Sequence, residues 1–368
     1  MSRLLTSSRL RWAVPGGVAA AVAVASLTNT VSASASGRPK LPARTAAQLL
    51  ATLDKAQPPQ LSGTVVESVH LGLPDLPNIG GASVGDSDLT LQNLVSGSHT
   101  LRVFYGGPDQ QRVALLGTTS ESDVVHNGSV LWTYSSSTRA VTKATLKSPT
   151  ESAATAAPDS AASMTPTAEA QKALAAIDPT TAVTVDRTAY VAGRSAYQVL
   201  LTPRDSRSLI GSVRIALDAT TSVPLRVQVF AHGATSPAIQ VGFTDITFGA
   251  PDASIFKFVP PAGSTVKTQE LPLVGSQSGK APLHAPAGAP DTKVIGSGWT
   301  AVVQTSMTQS AQNSTAQGLL DKVSTPVAGG RLVTSALISV FLADDGRVFA
   351  GPVSGADLQK VAASGQAL

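Results

Sequence analysis

Segments in which apolar and polar residues alternate recur along most of the chain. Leu225, Val227 and Val229, for example, alternate with Arg226 and Gln228. This period of two places the apolar side chains on one face of a β-strand and the polar side chains on the other. Because such segments follow one another with turn residues between them, they predict consecutive antiparallel strands in a large sheet with one apolar face.

Eleven segments of this kind predict the strands of the main sheet. They are 62–73, 100–105, 111–117, 123–126, 129–135, 182–186, 195–202, 211–218, 225–231, 239–248 and 256–259. Asn127 and Gly128 are a typical hairpin turn between two of them. In the first strand, Glu67 places a carboxylate on the otherwise apolar face.

The segment 256–259 is predicted to be the closing strand of this sheet. Phe256 and Phe258 alternate with Lys257, and two prolines follow. Proline has no N–H group to donate to a neighbouring strand, so the prolines are expected to end the sheet at this point.

A short amphipathic helix is predicted before the first strand, at residues 45–56. Leu49, Leu50 and Leu53 share one face of it, and Thr45 is a suitable N-cap. The apolar face of this helix is expected to pack against the sheet.

Two irregular regions and a second helix are predicted within the sheet domain. Residues 74–98 are rich in glycine, proline, aspartate and serine, which indicates a long surface loop. Residues 148–164 are expected to be mobile, because they contain too few apolar residues to offset the entropy of ordering. A helix over 165–177 either packs on the core or forms a lid over a cavity.

A small C-terminal α+β unit, 292–368, is predicted to follow a linker rich in proline, glycine and serine at 267–291. Its predicted elements are a strand at 293–304, a helix at 315–323 and a hairpin of strands 332–343 and 347–351 around Asp344, Asp345 and Gly346.

The N-terminal residues 1–35 have the pattern of a secretory signal peptide or of an uncleaved membrane anchor. Three arginines precede an uncharged stretch rich in alanine and valine, and small residues follow. The remainder is therefore expected to be secreted or tethered to the outer face of the cytoplasmic membrane. Without these arginines the net charge falls from +4 to +1, and no basic cluster points to nucleic acid.

An apolar binding cavity is the function that the predicted sheet favours. Two short helices can cover only part of so wide an apolar face, and a cavity is expected to remain between them. The candidate lining residues are Val199, Leu201, Val213, Ile215, Leu217, Leu225, Val227, Val229, Val241 and Phe243.

Four segments, in order, resemble the LolA/LolB/RseB superfamily of bacterial envelope proteins. They are the helix 45–56, the hairpin strand 127–134, the strand 197–204 and the end of the sheet at 252–263, within a domain of 41–266. The resemblance implies an unclosed antiparallel β-barrel around lid helices. It also implies a non-catalytic carrier or chaperone that binds the acyl chain of a lipid or lipoprotein and has no cofactor.

Residues 191–197 resemble the RseB-type branch more than the carrier branch. This resemblance implies an alternative function. In that alternative, the protein is a regulatory sensor that binds the extracytoplasmic domain of a membrane anti-sigma factor or kinase.

Other chemistry is poorly supported by the sequence. Residues 81–85 match the G-x-S-x-G pattern of serine hydrolases, but they lie in a glycine-rich loop rather than between a strand and a helix. The five histidines lack the spacing of a zinc site, and there are no cysteines. Trp132 and Tyr134 share a strand face and could stack on a sugar, although core packing explains them better. No catalytic residue and no metal are predicted.

Overall fold

The structure is a computed structural model that describes residues 38–55, 58–72, 96–117, 119–147, 180–272, 292–306 and 323–368. The predicted signal or anchor, the predicted mobile insert and the helix over 165–177 lie outside the described residues. So do most of the predicted loop 74–98 and of the helix 315–323.

The described residues are mostly β-structure, as the sequence predicts. The strands of the large sheet are β1 (Leu61–His70), β2 (Ser96–Gly107), β3 (Gln110–Leu116), β4 (Glu121–Asn127), β5 (Val130–Ser135), β6 (Ala140–Lys147), β7 (Thr181–Val191), β8 (Arg194–Pro203), β9 (Ile210–Asp218), β10 (Pro224–Ala231), β11 (Pro237–Phe248) and β12 (Thr265–Pro272).

Two meanders and the added strand β12 make up this twelve-stranded sheet. Its strand order is β12-β6-β5-β4-β3-β2-β1-β11-β10-β9-β8-β7. The meanders β1–β6 and β7–β11 join through antiparallel pairing of β1 with β11. The sheet ends at β12 and β7 without closing into a barrel, so the predicted fold class is confirmed.

One end of the large sheet differs from the prediction. The segment 256–259 is not a strand: Ala253–Phe256 form a 3-10 turn, in which the Ser254 N–H donates a hydrogen bond to the Asp252 side chain at 2.8 Å. Phe256 is only 1% exposed and lies across the sheet. The conformation of this segment is therefore set by side-chain packing and not by hydrogen bonding to a neighbouring strand. The prediction of a closing strand from the alternation of aromatic and charged residues is therefore wrong.

Two strands at that end were missed. Ala140–Lys147 (β6) pairs with β5, and Thr265–Pro272 (β12) pairs with β6 in parallel, which makes the sheet mixed. The predicted linker 267–291 thus begins within a strand. β12 is rich in polar, exposed residues, so its strand conformation depends on backbone pairing with β6 and has no period-2 signal.

The helix α1 (Ala46–Lys55) begins as predicted. The Thr45 hydroxyl accepts a hydrogen bond from the Gln48 N–H at 3.2 Å, and the Gln48 side chain accepts one from the Thr45 N–H at 2.9 Å. This reciprocal arrangement is a capping box. In the described residues no helix has the length and apolar character needed to cross a bilayer.

The C-terminal unit is a second, six-stranded sheet with a helix packed on it. Its elements are β13 (Lys293–Ile295), β14 (Val302–Ser306), β15 (Thr325–Val327), β16 (Gly330–Thr334), β17 (Ser339–Ala343), β18 (Arg347–Gly351) and α2 (Gly355–Ser364). The predicted hairpin around Asp345 is present as β17 and β18. The predicted strands 293–304 and 332–343 are each divided in two, by a 3-10 turn at Gly298–Thr300 and by a turn around Ser335.

Candidate functional site

Cross-strand partners place the aliphatic residues of the large sheet in continuous rows. One row is Val199, Ile215, Val227 and Val241, and the next is Leu201, Val213, Val229 and Ile239. The same side of the sheet continues across β1, β2 and β3 through Val65, Leu101 and Leu115. We call this side the apolar face.

The helix α1 and the C-terminal unit cover the apolar face at β8, β9 and β10. Leu49 of α1 and Trp299 of the C-terminal unit are buried in one cluster with residues of these strands. The Trp299 indole N–H donates a hydrogen bond to the Thr181 hydroxyl at 2.7 Å, and the Tyr197 hydroxyl donates one to the Pro42 carbonyl at 2.9 Å. We call this region the covered part of the apolar face.

Backbone contacts hold the C-terminal unit in this position. The Leu209 N–H donates a hydrogen bond to the Pro352 carbonyl at 2.7 Å, and Ser208 and Val353 form an isolated β-bridge. The Ala336 N–H donates one to the Leu71 carbonyl at 2.8 Å. The two sheets are thus joined at two separate places, in addition to the Trp299 contact.

Towards β2–β5 the apolar face stays partly exposed. A second cluster of buried residues includes residues of β1, β2, β3 and β11, among them Val65, Leu101 and Phe243. Val103 and Leu115 are partly exposed and pack against this second cluster, and Val124 and Leu131 continue the same side on β4 and β5. We call these four residues the open part of the apolar face. They present aliphatic side chains from four neighbouring strands.

None of the ten predicted lining residues lies in the open part of the apolar face. Seven of them, on β8, β9 and β10, belong to the covered part: Val199, Leu201, Val213, Ile215, Leu217, Val227 and Val229. Leu225, Val241 and Phe243 belong to the second cluster, with residues of β1, β2 and β3. Their role in ligand binding stays a prediction.

Sequence reasoning did not include the open part among the candidates. The signal was only partial, because Leu101 and Val103 flank the polar Arg102, whereas Phe104 breaks the alternation. What the sequence could not show is that α1 and Trp299 would pack on β8–β10 and leave β2–β5 more accessible.

Several polar side chains interrupt the apolar face, and four of them form two cross-strand pairs. Glu67 and His99 are cross-strand partners next to Val241, and Gln111 and His126 are partners next to the open part. Glu67 Oε2 and His99 Nδ1 are 3.5 Å apart, with side chains 13% and 15% exposed. Gln111 donates a hydrogen bond to the Pro108 carbonyl at 2.7 Å. Glu67 Oε2, His99 Nδ1 and His126 Nδ1 are buried without a hydrogen-bond partner among the described residues, which makes them candidates for contact with a ligand.

The opposite face carries the segment that replaces the predicted closing strand. Arg112 donates a hydrogen bond to the Ile255 carbonyl at 2.7 Å, and Asn127 donates one to the Phe256 carbonyl at 3.2 Å. The Phe258 ring lies 5.4 Å from that of Trp132 and 6.0 Å from that of Tyr134. Trp132 and Tyr134 therefore pack against this segment, in agreement with the core-packing interpretation.

Asp123 is buried beneath this segment, beside Arg112. Burial raises the pKa of Asp123 from its ordinary 3.8 to about 8, although the Arg112 guanidinium, 3.4 Å away, acts in the opposite direction. The folded protein therefore holds a proton here between about pH 4 and pH 8 that the unfolded chain releases, so its stability falls as the pH rises through this range.

We expect Asp123→Asn to remove this pH dependence. The amide is neutral like the protonated acid, so the variant should match the wild type in unfolding temperature near pH 4 and exceed it near pH 8. Thermal unfolding followed by circular dichroism across this range measures the difference. Asp245→Asn, at an exposed acid on the same face, is the control. Parallel pH profiles for Asp123→Asn and the wild type would contradict the prediction.

The structure was compared with known proteins. No family model and no curated protein matches the sequence. The fold resembles MucB and a LolA superfamily protein. The MucA/MucB complex of Pseudomonas aeruginosa matches with 16% identity and a TM-score of 0.42, over 86% of this chain and 96% of that chain. The LolA superfamily protein of Nitrosomonas europaea matches with 12% identity and a TM-score of 0.23, over 59% of this chain and 99% of that chain.

An uncharacterized conserved protein of Thermus thermophilus also matches, with 10% identity and a TM-score of 0.33, over 61% of this chain and 98% of that chain. All three similarities are similarities of fold. They agree with the fold that the resemblance to the LolA/LolB/RseB superfamily implies, and membership of that superfamily stays a prediction.

Proposed function

We propose that the protein is a non-catalytic, extracytoplasmic carrier or chaperone that binds the acyl chain of a lipid or lipoprotein on the apolar face. The open part of that face supports the proposal most directly. Val103, Leu115, Val124 and Leu131 form a partly exposed aliphatic surface across four strands. Buried Val113 lies between Val103 and Val124, and exposed apolar surface of this kind is typical of a binding site.

The energetics of burial favour a hydrocarbon chain as the ligand. Each methylene group transferred from water contributes about 0.8 kcal/mol, so burial of about ten methylenes contributes about 8 kcal/mol, which corresponds to roughly micromolar affinity. A long chain would extend from the open part towards Val65, Leu101 and Phe243, which are buried in the adjoining cluster. Residues 1–35, with the pattern of a signal or anchor, support a location outside the cytoplasm.

A second candidate function is a sensor that binds the extracytoplasmic domain of a membrane protein, such as an anti-sigma factor or kinase. The observation that favours it is the edge strand β7, which ends the large sheet. Val185 and Tyr190 on this strand are 37% and 52% exposed. A long edge strand with exposed apolar side chains can pair with an extended segment of a partner.

Native mass spectrometry of the exported protein, purified without detergent, tests the first function. We expect about one lipid per chain, which organic extraction would then identify. A mass without bound lipid, together with no enhancement of 1-N-phenylnaphthylamine fluorescence by the purified protein, would contradict lipid binding. That result would favour the partner-binding sensor.

A further inference from the structure

The polar pair Glu67 and His99 lies inside the apolar face and has incomplete hydrogen bonding. The two residues are direct partners on β1 and β2, with Oε2 and Nδ1 3.5 Å apart. Both of these atoms are buried, and neither has a hydrogen-bond partner in the part of the chain that the structure describes. Each can therefore make one more polar contact.

Aliphatic residues surround the pair on its own side of the sheet. Val241 is the partner of Glu67 on the β11 side, and the row two residues away contains Val65 and Leu101. A carboxylate among such neighbours has lost most of its hydration, and few protein groups here can replace it. A ligand group that donates a hydrogen bond would supply the missing contact.

The charge of the pair restricts the chemistry of that group. His99 is the polar partner of Glu67 among the described residues, and with a neutral imidazole the pair carries the single negative charge of the Glu67 carboxylate. A carboxylate or phosphate at this position would face the Glu67 carboxylate in surroundings of low dielectric constant, where repulsion is strong. A hydroxyl group can donate a hydrogen bond to Glu67 Oε2. It can also accept one from His99 Nδ1 when that nitrogen carries the imidazole proton, so one hydroxyl satisfies both atoms.

We propose that Glu67 and His99 form a polar subsite that binds the uncharged hydroxyl headgroup of a lipid and excludes anionic headgroups. The proposal rests on the proposed function, because it assumes that a hydrocarbon chain lies along the apolar face. The chain would extend from this subsite to the partly exposed Leu115 of the open part. The pair thereby selects among lipids that the aliphatic residues alone would bind equally.

Two ligands with the same acyl group test the subsite: 1-monolaurin, which ends in hydroxyls, and laurate, which ends in a carboxylate. Their affinities are measured by displacement of 1-N-phenylnaphthylamine at pH 7.5. We expect the wild type to bind 1-monolaurin at least tenfold more tightly than laurate. Glu67→Gln, which keeps the shape and removes the charge, should reduce this ratio to less than threefold, mainly through tighter binding of laurate.

Two further variants separate this role from a general effect of charge or folding. Asp245→Asn changes the net charge equally, at an exposed position on the opposite face, and should leave the ratio unchanged. His99→Leu should weaken 1-monolaurin about tenfold and change laurate less than threefold. It also tests the subsite if Glu67→Gln does not fold.

The outcomes distinguish the subsite from the proposed function. Equal affinities of the wild type for both ligands, or an unchanged ratio in folded Glu67→Gln, would overturn the subsite and leave lipid binding in place. If the wild type bound neither ligand nor the fluorescent probe, both the subsite and the proposed function would be rejected.

Discussion

Replacing Leu115 with glutamine should lower the affinity for a lipid chain about 10- to 100-fold and leave the fold intact. Leu115 lies on β3 in the open part of the apolar face, partly exposed and beside Leu101. Burying a leucine side chain contributes about 1.5–3 kcal/mol, and each 1.4 kcal/mol is about a factor of ten in affinity. The glutamine amide would in addition have to lose its hydration without gaining a partner.

The adjacent residue supplies a matched control. Leu116 is also partly exposed, but its side chain lies on the opposite face of the same strand. Leu116→Gln should therefore bind 1-N-phenylnaphthylamine and 1-monolaurin as the wild type does. Equal losses in both variants would indicate a general effect on the sheet, and no loss in folded Leu115→Gln would place the ligand elsewhere.

Leu115 is a better test position than Val227, which is only 3% exposed, because a polar residue at Val227 would disturb the core.

Phe256→Ala should lower the free energy of unfolding by about 3–5 kcal/mol, the usual cost of removing a buried phenylalanine ring. Phe256 is 1% exposed and anchors the segment that crosses β3 and β4. A Cβ atom on Gly106 would lie only 3.1 Å from the Phe256 ring, so the ring packs directly against the backbone of β2. Alanine would leave a cavity at this contact.

Val259 is the control within the same segment. It is 77% exposed, and Val259→Ala should change the free energy of unfolding by no more than about 0.5 kcal/mol. Urea denaturation of both variants, followed by circular dichroism, measures the two effects. A small effect at Phe256 would show that the segment is not anchored as the structure indicates. A large effect at Val259 would favour the strand that its sequence pattern predicted.

The elements that the sequence predicted correctly are those whose signals lie within a few neighbouring residues. The alternation in Leu225, Val227 and Val229 predicted a strand, and Thr45 with Gln48 forms a capping box, which uses only residues of the first helical turn. The turn at Asn127 and Gly128 depends on the backbone freedom of Gly128, whose φ is 60°. Such signals act over a few residues and can be read without the fold.

The errors lie where distant residues decide the outcome. Phe256 and Phe258 alternate like strand residues, yet contacts with Gly106 and Trp132 on other strands hold their segment across the sheet. The polar strand β12 is recognisable only from its pairing with β6.

The sequence by itself determined that the chain forms a large, mostly antiparallel sheet with one apolar face, because a period of two is a local property of each strand. It also placed Glu67 on that face. Only the tertiary structure decided where the face is covered and where it is open, since Leu49 and Trp299 come from opposite ends of the chain. It also brought His99 opposite Glu67, because strand register depends on pairing between segments that are far apart in sequence.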